Sequence, residues 1–214
     1  ATLSISAMPT VELRPALEQL IDYPYGCLEQ TTSKLYALLH VPELLAAESP
    51  SDSAARAVDS MIDAGIARLW SMQTRSGGLG YWPGATQSDW WGTAYAAGFL
   101  LEARRAGHAV DDRFLAELAA YLESLLRDRT ETSFDANARA QVCRVLAGLN
   151  RPQLGWMARL AERLDQLDAA GRAHLAAAWL EMGQKNGALA ALPAGGDSQV
   201  IARVLRRLSR STDS

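Results

Sequence analysis

Helical periodicity is the feature of this 214-residue chain that most limits its fold. From Pro9 onward, apolar residues return every three or four positions, the spacing of one face of an α-helix. Brief polar or Gly/Pro-rich segments separate these stretches. The pattern predicts a helix that carries Val58 and Leu69, and further helices over about 9–22, 27–45, 88–107, 111–127, 133–149, 153–167, 171–182 and 197–209.

Helices joined by brief connections pack antiparallel, as hairpins. Repeated hairpins close either into a superhelix or into a ring with helices in two concentric layers. The alanine-rich stretches "AYAAGFLLEA" and "HLAAAWLE" suit the close approach of helices in both arrangements, and no strict repeat decides between them. The sequence therefore predicts an all-α fold, preceded by a short strand at "TLSIS", where apolar and polar residues alternate.

Composition and charge argue against several classes of protein. Hydrophobic residues make up 49% of the chain and charged residues 21%, which is ordinary for a globular protein. A net charge of -3 gives no electrostatic basis for binding nucleic acid or an anionic membrane surface. No apolar run approaches the roughly 20 residues that span a bilayer. The sequence contains neither HExxH nor CxxC, so no metal site or cofactor is predicted.

A cysteine and a glutamine stand three residues apart in "YGCLEQTTS", at the start of a predicted helix. Such positions face the same side of a helix, about 5–6 Å apart at their β-carbons. The unpaired N–H groups of a helix N-terminus favour a thiolate at Cys27. Its attack on the side-chain carbonyl of Gln30 would expel ammonia and leave an internal thioester. Water hydrolyses such a bond, so it needs an apolar enclosure. The aromatic residues available for that enclosure are Tyr23, Tyr25, Trp82, Trp90 and Trp91.

The same spacing has two plainer interpretations. Glutamine at the third helical position commonly caps the N-terminus, which would make the chain a helical interaction module. Rings of helical hairpins also house glycosidases and terpenoid cyclases, so an enzyme is the other alternative. Those enzymes need paired acids facing a cavity or an aspartate-rich motif. The sequence offers the adjacent pair Asp111–Asp112 and no "DxDD".

The stretch "GCLEQ" resembles the Gly-Cys-x-Glu-Gln thioester signature of the α2-macroglobulin and complement family, with Gly26, Cys27, Glu29 and Gln30 in the required positions. Residues 77–122 are similar to that family's glycine-rich loop and following helical hairpin. The likeness is to the bacterial α2-macroglobulins and covers most of the chain. It implies an incomplete α/α toroid. Residues 1–10 would be a strand of an adjacent β (CUB-like) domain, and 11–214 a thioester domain that stops before its last helices.

The resemblance implies a covalent trap for proteases rather than an enzyme. A protease cuts a bait region elsewhere in the parent protein, which exposes the thioester. A lysine amine of the protease then attacks the Gln30 carbonyl, and Cys27 leaves as a thiol. The resemblance also implies that other domains of the parent chain shield the bond. The parent is expected in the periplasm, exported and lipid-anchored by segments upstream, with no direct membrane contact by this segment.

One position departs from the complement branch of the family. There, a histidine beside the thioester helps to transfer the acyl group to hydroxyls, and the aligned residue here is Phe114. General-base help needs a side chain within hydrogen-bond reach, and His40, His108 and His174 fall elsewhere in the sequence. His108 follows Gly107 in a predicted turn and is expected to be solvated. We therefore expect aminolysis by lysine amines rather than esterification.

The residues predicted to surround the thioester are Tyr25, Gly26, Glu29, Tyr81, Trp82 and Phe114. Lys34 lies one turn after Gln30, and we expect a solvated, protonated amine that points away from that carbonyl. Cys143 falls among apolar positions and is expected to be a buried, inert thiol, with a disulfide to Cys27 left open. Three further tryptophans are expected to pack in the core: Trp70, Trp156 and Trp179.

Overall fold

The computed structural model describes residues 26–45, 52–127 and 134–192, and 72% of them are helical. The predicted strand at 2–6 and the predicted helices over 9–22 and 197–209 lie outside the described residues. So does Tyr25. The helices are α1 (Leu28–Leu45), α2 (Asp52–Ser71), α3 (Trp90–Arg105), α4 (Asp112–Arg127), α5 (Ala136–Gly148), α6 (Leu154–Ala161), α7 (Ala169–Glu181) and α8 (Lys185–Ala191).

Alternate helices form two layers. The inner layer is α1, α3, α5 and α7, which pack side by side in chain order, and α2, α4, α6 and α8 each pack on the inner helix before them. Two such layers of hairpins are the arrangement of an α/α toroid, so the predicted all-α fold class is confirmed. None of the described helices is long and apolar enough to cross a membrane.

Aspartate caps start three of the inner helices. The carboxylates of Asp89, Asp135 and Asp168 accept hydrogen bonds from backbone N–H groups three residues on, at 2.6, 2.9 and 2.7 Å. Each bond satisfies a donor that has no partner within its own helix. These caps fix where α3, α5 and α7 begin, close to the predicted starts.

Two helix predictions near the end of the described chain were wrong. The single helix expected over 153–167 ends at Ala161, and a 3-10 turn, Leu164–Gln166, follows it. No helix was predicted over the residues of α8. Its Gly187 lies against the ring of Trp179, where a β-carbon would sit 3.0 Å from the indole. A tertiary contact therefore supports a seven-residue helix that has weak intrinsic propensity.

Glycines let α1 approach its neighbours closely. Gly65 of α2 lies under Leu35, and Gly92 and Gly98 of α3 lie under Leu28 and Tyr36. A β-carbon at Gly92 would come within 2.5 Å of the Leu28 side chain, which is 1% exposed. Because the buried leucine has little room to move, α1 can occupy this position only while the opposing residue lacks a side chain.

Three side-chain environments differ from expectation. Trp70 is 43% exposed, because it follows the buried Leu69 and points away from the core, although it stacks on Phe114. His108 is not solvated: its side chain is 11% exposed and its Nδ1 lies 3.1 Å from a carboxylate oxygen of Asp63 on α2. Lys34 is half-buried rather than solvated.

Several environments agree with expectation. Trp156 and Trp179 pack against the core, half-buried. Cys143 is fully buried, and burial raises the pKa of its thiol to about 12. Neither Cys143 nor Cys27 forms a disulfide, so the pairing that the sequence left open does not occur.

The Gly92→Ala variant should lower the free energy of unfolding by about 1–3 kcal/mol, the usual cost of inserting a methyl group into a packed contact. Gly155→Ala is the matched control, because a β-carbon there meets nothing within 4 Å. The control should be neutral or stabilising by up to about 1 kcal/mol. Urea denaturation of both variants measures the difference, and equal stabilities would contradict the close contact of α1 and α3.

His174 should make stability depend on pH. Burial, and then the charge of Arg144, lower the pKa of His174 to about 4, against which Asp168 acts weakly. The unfolded chain protonates histidine near pH 6.5, so it binds more protons than the folded chain between these values. The free energy of unfolding should therefore fall as the pH drops from about 6.5 to about 4, by about 3 kcal/mol. Urea denaturation from pH 7 to pH 4 should show this fall in the unsubstituted chain. In His174→Gln the loss of stability over the same pH range should be smaller by about 3 kcal/mol. Identical pH profiles would contradict the assignment.

Candidate functional site

Cys27 is the residue immediately before the first turn of α1. Its carbonyl accepts the first helical hydrogen bond, from the N–H of Thr31 at 2.8 Å. Its own N–H donates to Oε1 of Gln30 at 3.1 Å. The predicted pair is therefore brought together, with the carboxamide of Gln30 folded back over the helix N-terminus. This bond is also the cap that the plainer interpretation of the spacing requires.

The backbone on both sides of Cys27 is fixed by three further hydrogen bonds. The carbonyl of Gly26 accepts from Nη2 of Arg68 at 2.8 Å and from the hydroxyl of Thr31 at 3.2 Å. The N–H of Leu28 donates to the carbonyl of Tyr81 at 3.0 Å. These bonds join residues 26–28, the cysteine turn, to α2 and to residues 76–84, the glycine-rich loop.

The aromatic residues near this turn do not all enclose it. Tyr81 and Trp82 are 42% and 51% exposed. Of the two tryptophans that start α3, Trp90 packs on Phe134 and Trp91 stacks on Tyr95. Because Gln30 is exposed and Cys27 only half-buried, the described part of the chain leaves the pair accessible.

Acidic side chains lie close to the hydroxyl of Tyr81. The carboxylate of Asp89, followed by burial, Glu29 and Cys27, raises the pKa of Tyr81 above its usual value of 10. The phenol is therefore neutral at physiological pH. Glu29 is exposed in the first turn of α1, where a negative charge favours the positive end of the helix dipole. Tyr81 and Glu29 thus border the cysteine turn, and their role in a thioester pocket stays a prediction.

Phe114 is fully buried, and its ring stacks on Trp70 with centroids 5.4 Å apart and planes 8° from parallel. Trp70 lies two residues after Arg68, which holds the Gly26 carbonyl. Phe114 therefore supports the end of α2 that carries Arg68. A direct contact of Phe114 with the thioester position stays a prediction.

No sequence motif marks Arg68 as part of the site. It is 42 residues from Gly26 in the chain, and on α2 it looks like an ordinary helical arginine. A half-buried arginine flanked by the buried Ile66 and Leu69 was the available hint. Elsewhere, the described residues bring no three His, Cys, Asp or Glu side chains together in a way that could hold a metal ion.

Comparison with known protein families identifies the family of this chain. A family model described as the A-macroglobulin TED domain matches residues 4–148. The chain belongs to this family. The match includes the cysteine turn, the glycine-rich loop and the helices α1 to α5, and it confirms the resemblance noted in the sequence.

Individual relatives agree with the assignment to the A-macroglobulin TED domain family. An alpha-2-macroglobulin of Xylella fastidiosa (strain Temecula1) is 32% identical over 212 residues, covering 91% of this chain but 13% of its own. The crystal structure of Salmonella alpha-2-macroglobulin reacted with methylamine is 29% identical with a TM-score of 0.70, covering 86% of this chain and 13% of its own. Trypsin-activated alpha-2-macroglobulin from Escherichia coli is 27% identical with a TM-score of 0.64, over 86% of this chain and 13% of its own.

Replacing Arg68 by methionine should loosen the cysteine turn. The variant keeps the aliphatic stem but removes the guanidinium that donates to Gly26. The loss of a hydrogen bond from a charged group should lower the free energy of unfolding by about 1.5–3 kcal/mol. Amide hydrogen exchange at Cys27 and Leu28 should accelerate. Arg56→Met, at an exposed position of α2, is the matched control and should change neither quantity. Unchanged exchange in Arg68→Met would show that Arg68 does not hold the turn.

Proposed function

We propose that Cys27 and Gln30 form an internal thioester that acylates amines of attacking proteases. In the forming step, Sγ of Cys27 bonds to Cδ of Gln30 and the Cδ–Nε2 bond breaks. The thiol proton leaves with the amide nitrogen as ammonia. In the transfer step, an amine nitrogen bonds to Cδ, the Cδ–Sγ bond breaks, and a proton from the amine restores the Cys27 thiol. Each chain reacts once, so the protein is a trap and not an enzyme.

The hydrogen bond from Cys27 N–H to Gln30 Oε1 carries the proposal. At 3.1 Å it holds the reacting carbonyl against the residue whose sulfur must attack it. A backbone N–H aimed at the same oxygen also stabilises the negative charge that develops there in a tetrahedral intermediate. The bonds of Gly26 and Leu28 to Arg68 and Tyr81 keep this geometry fixed. Positioning of this kind supplies part of the activation that a thioester requires.

The relatives support acyl transfer to amines and a role against proteases. The Salmonella relative was solved after reaction with methylamine, and the Escherichia coli relative after activation by trypsin. Because this chain spans 13% of such proteins, the bait region and the conformational change would belong to the rest of the parent chain. Relatives from bacteria support a periplasmic, exported parent.

Shielding by another domain follows from the exposure of the site. Gln30 is exposed, and water would hydrolyse a thioester left in this state. Tyr81, whose carbonyl binds the N–H of Leu28, and the adjacent Trp82 are 42% and 51% exposed, and Trp70, two residues after Arg68, is 43% exposed. Exposed aromatic patches of this kind mark contact surfaces. We infer that a neighbouring domain of the parent chain covers this patch until a protease activates the protein.

Amines rather than hydroxyls should be the acceptors. Among the described histidines, His40 lies 4.0 Å from Glu102, His108 binds Asp63, and His174 lies in the inner layer. None of these contacts brings an imidazole to Gln30, and Phe114 is buried. Hydroxyl attack would therefore lack a general base, whereas an unprotonated amine is nucleophilic without one.

The proposal predicts a specific change in mass and free thiol when the protein is purified from its native source, with any shielding domains intact. The native mass should be lower by one ammonia, and methylamine should add at Gln30 while one thiol appears. Glycerol at the same concentration should give at least tenfold less adduct. Cys143→Ala should leave the released thiol unchanged and Cys27→Ala should abolish it, because the buried Cys143 does not react. A full complement of thiols from the outset, without methylamine uptake, would refute the thioester.

A helical interaction module remains the second candidate, because the Cys27–Gln30 bond is also an ordinary cap. Gln30→Glu separates the two. Glutamate at this position keeps the cap but has no ammonia to lose. If Gln30 serves only as a cap, the variant and the unsubstituted protein should have equal stability, and neither should show an ammonia mass deficit or a methylamine adduct. If the proposal holds, the variant should fold equally well and lose the mass deficit and the methylamine reaction.

A further inference from the structure

A cavity of about 420 Å³ opens on the inner layer of the fold, away from the cysteine turn. All of its lining residues come from the inner helices: α1, α3, α5 and α7. Neither Cys27 nor Gln30 is among them. Ligand sites in proteins range from about 300 to 1,000 Å³, so this cavity suits a small molecule. Binding of a ligand in this cavity would therefore not involve the residues of the proposed thioester.

One wall of the cavity is aromatic. Trp91, Tyr95 and Tyr36 stack in sequence, with ring centroids 5.2 Å apart at both steps. All three rings are half-buried, and the hydroxyl of Tyr95 lies 3.3 Å from that of Ser33, which holds the middle ring in place. The stacked rings form a rigid, mainly apolar part of the cavity lining.

The floor is formed by residues without bulk. Gly98 and Ala94 line it from α3, and a β-carbon at Gly98 would meet Oη of Tyr36 at 3.1 Å. The space therefore depends on glycine at this position. A methyl group there would press on the aromatic wall and reduce the volume.

A second wall is polar. Glu102, Gln141, Arg144 and His174 line it. Nη2 of Arg144 lies 3.5 Å from Oε1 of Glu102, so the anion and the cation neutralise each other. Burial and Arg144 hold the pKa of His174 at about 4, which leaves a neutral imidazole at pH 7. The wall thus combines hydrogen-bond donors and acceptors without a net charge.

These features define the ligand class. A carboxylate or phosphate would meet Glu102, and a cation would meet Arg144, so neither gains from the site as a whole. Hydroxyl groups both donate and accept, which matches a carboxylate, a guanidinium, a carboxamide and a neutral imidazole on one wall. A ring with an apolar face matches the other wall. We propose that the inner cavity binds a neutral saccharide of one or two sugar rings.

The site should bind the sugar without cleaving it. Glycoside hydrolysis uses two carboxyl groups that flank the bond. Among the described residues that line this cavity, Glu102 is the one carboxylate, and it is paired with Arg144. The cavity therefore lacks a second acid at the position that either hydrolytic geometry requires.

Calorimetric titration of the 214-residue chain at pH 7 tests the proposal, with D-glucose and maltose as neutral probes. D-glucuronate and D-glucosamine are the charged counterparts. The neutral sugars should bind at one site, at least tenfold more tightly than the charged sugars. Maltoheptaose distinguishes the two sources of the ligand: binding comparable to that of maltose indicates the end of a glycan, and weaker binding indicates a free sugar.

Variants locate the binding. Gln141→Met keeps the volume but removes the carboxamide, and it should weaken binding about tenfold, the equivalent of one or two hydrogen bonds. Gln184→Met, at an exposed position before α8, is the matched control and should have no effect. Gly98→Ala, which narrows the floor, should also weaken binding. Cys27→Ala should bind normally, which separates this inference from the thioester.

Three results would overturn the proposal. One is the absence of saturable binding by both neutral sugars at millimolar concentrations. Another is equal binding of the charged sugars. The third is unchanged affinity in Gln141→Met and Gly98→Ala, each shown to be folded by circular dichroism. If Gln141→Met does not fold, the Gly98→Ala result decides alone.

Discussion

The close contact of α1 with two glycines of α3 is the constraint on which the site and the cavity both depend. Leu28, at the start of α1, rests on Gly92, and Tyr36, two turns later, rests on Gly98. Both glycines belong to α3. The distance between the axes of α1 and α3 is therefore fixed at the cysteine turn and again at the aromatic wall. A rigid inner layer therefore keeps the 3.1 Å hydrogen bond between Cys27 and Gln30 in place at the start of α1.

The cysteine turn satisfies the ordinary requirements of a helix start with unusual partners. The first N–H groups of any helix need acceptors from outside the helix. Here Leu28 finds the Tyr81 carbonyl in a distant loop, and Cys27 finds the carboxamide of Gln30. The cap and the proposed electrophile are therefore the same group. For this reason the spacing of Cys27 and Gln30 cannot by itself separate a reactive site from a capped helix.

Most of the fold could be predicted from the sequence, because helical periodicity and the aspartates before α3, α5 and α7 are local signals. Where tertiary contacts outweigh local propensity, prediction failed: α8 depends on the contact of Gly187 with Trp179. His108 follows the same rule. Its turn appears polar in sequence, yet the α3–α4 connection folds onto α2 and brings the imidazole to Asp63.

The site divides in the same way. The signature residues Gly26, Cys27, Glu29 and Gln30 lie within five positions and were found as a motif. Arg68, which holds Gly26, is distant in sequence, and no local pattern distinguishes it from other helical arginines. The aromatic enclosure was predicted from composition alone. Trp90 and Trp91 begin a helix that turns them toward Phe134 and Tyr95, so their rings are committed elsewhere.

The bond between Cys27 N–H and Gln30 Oε1 has a consequence for the folded chain as a whole. The acceptor oxygen is neither gained nor lost in the proposed chemistry: it belongs to a carboxamide before the thioester forms, to the thioester itself, and to a substituted amide after transfer. The helix can thus keep the same cap in every chemical state. The secondary structure of the domain should therefore be the same before and after the reaction. A molecule that has reacted would differ from an unreacted one in its mass and in one free thiol.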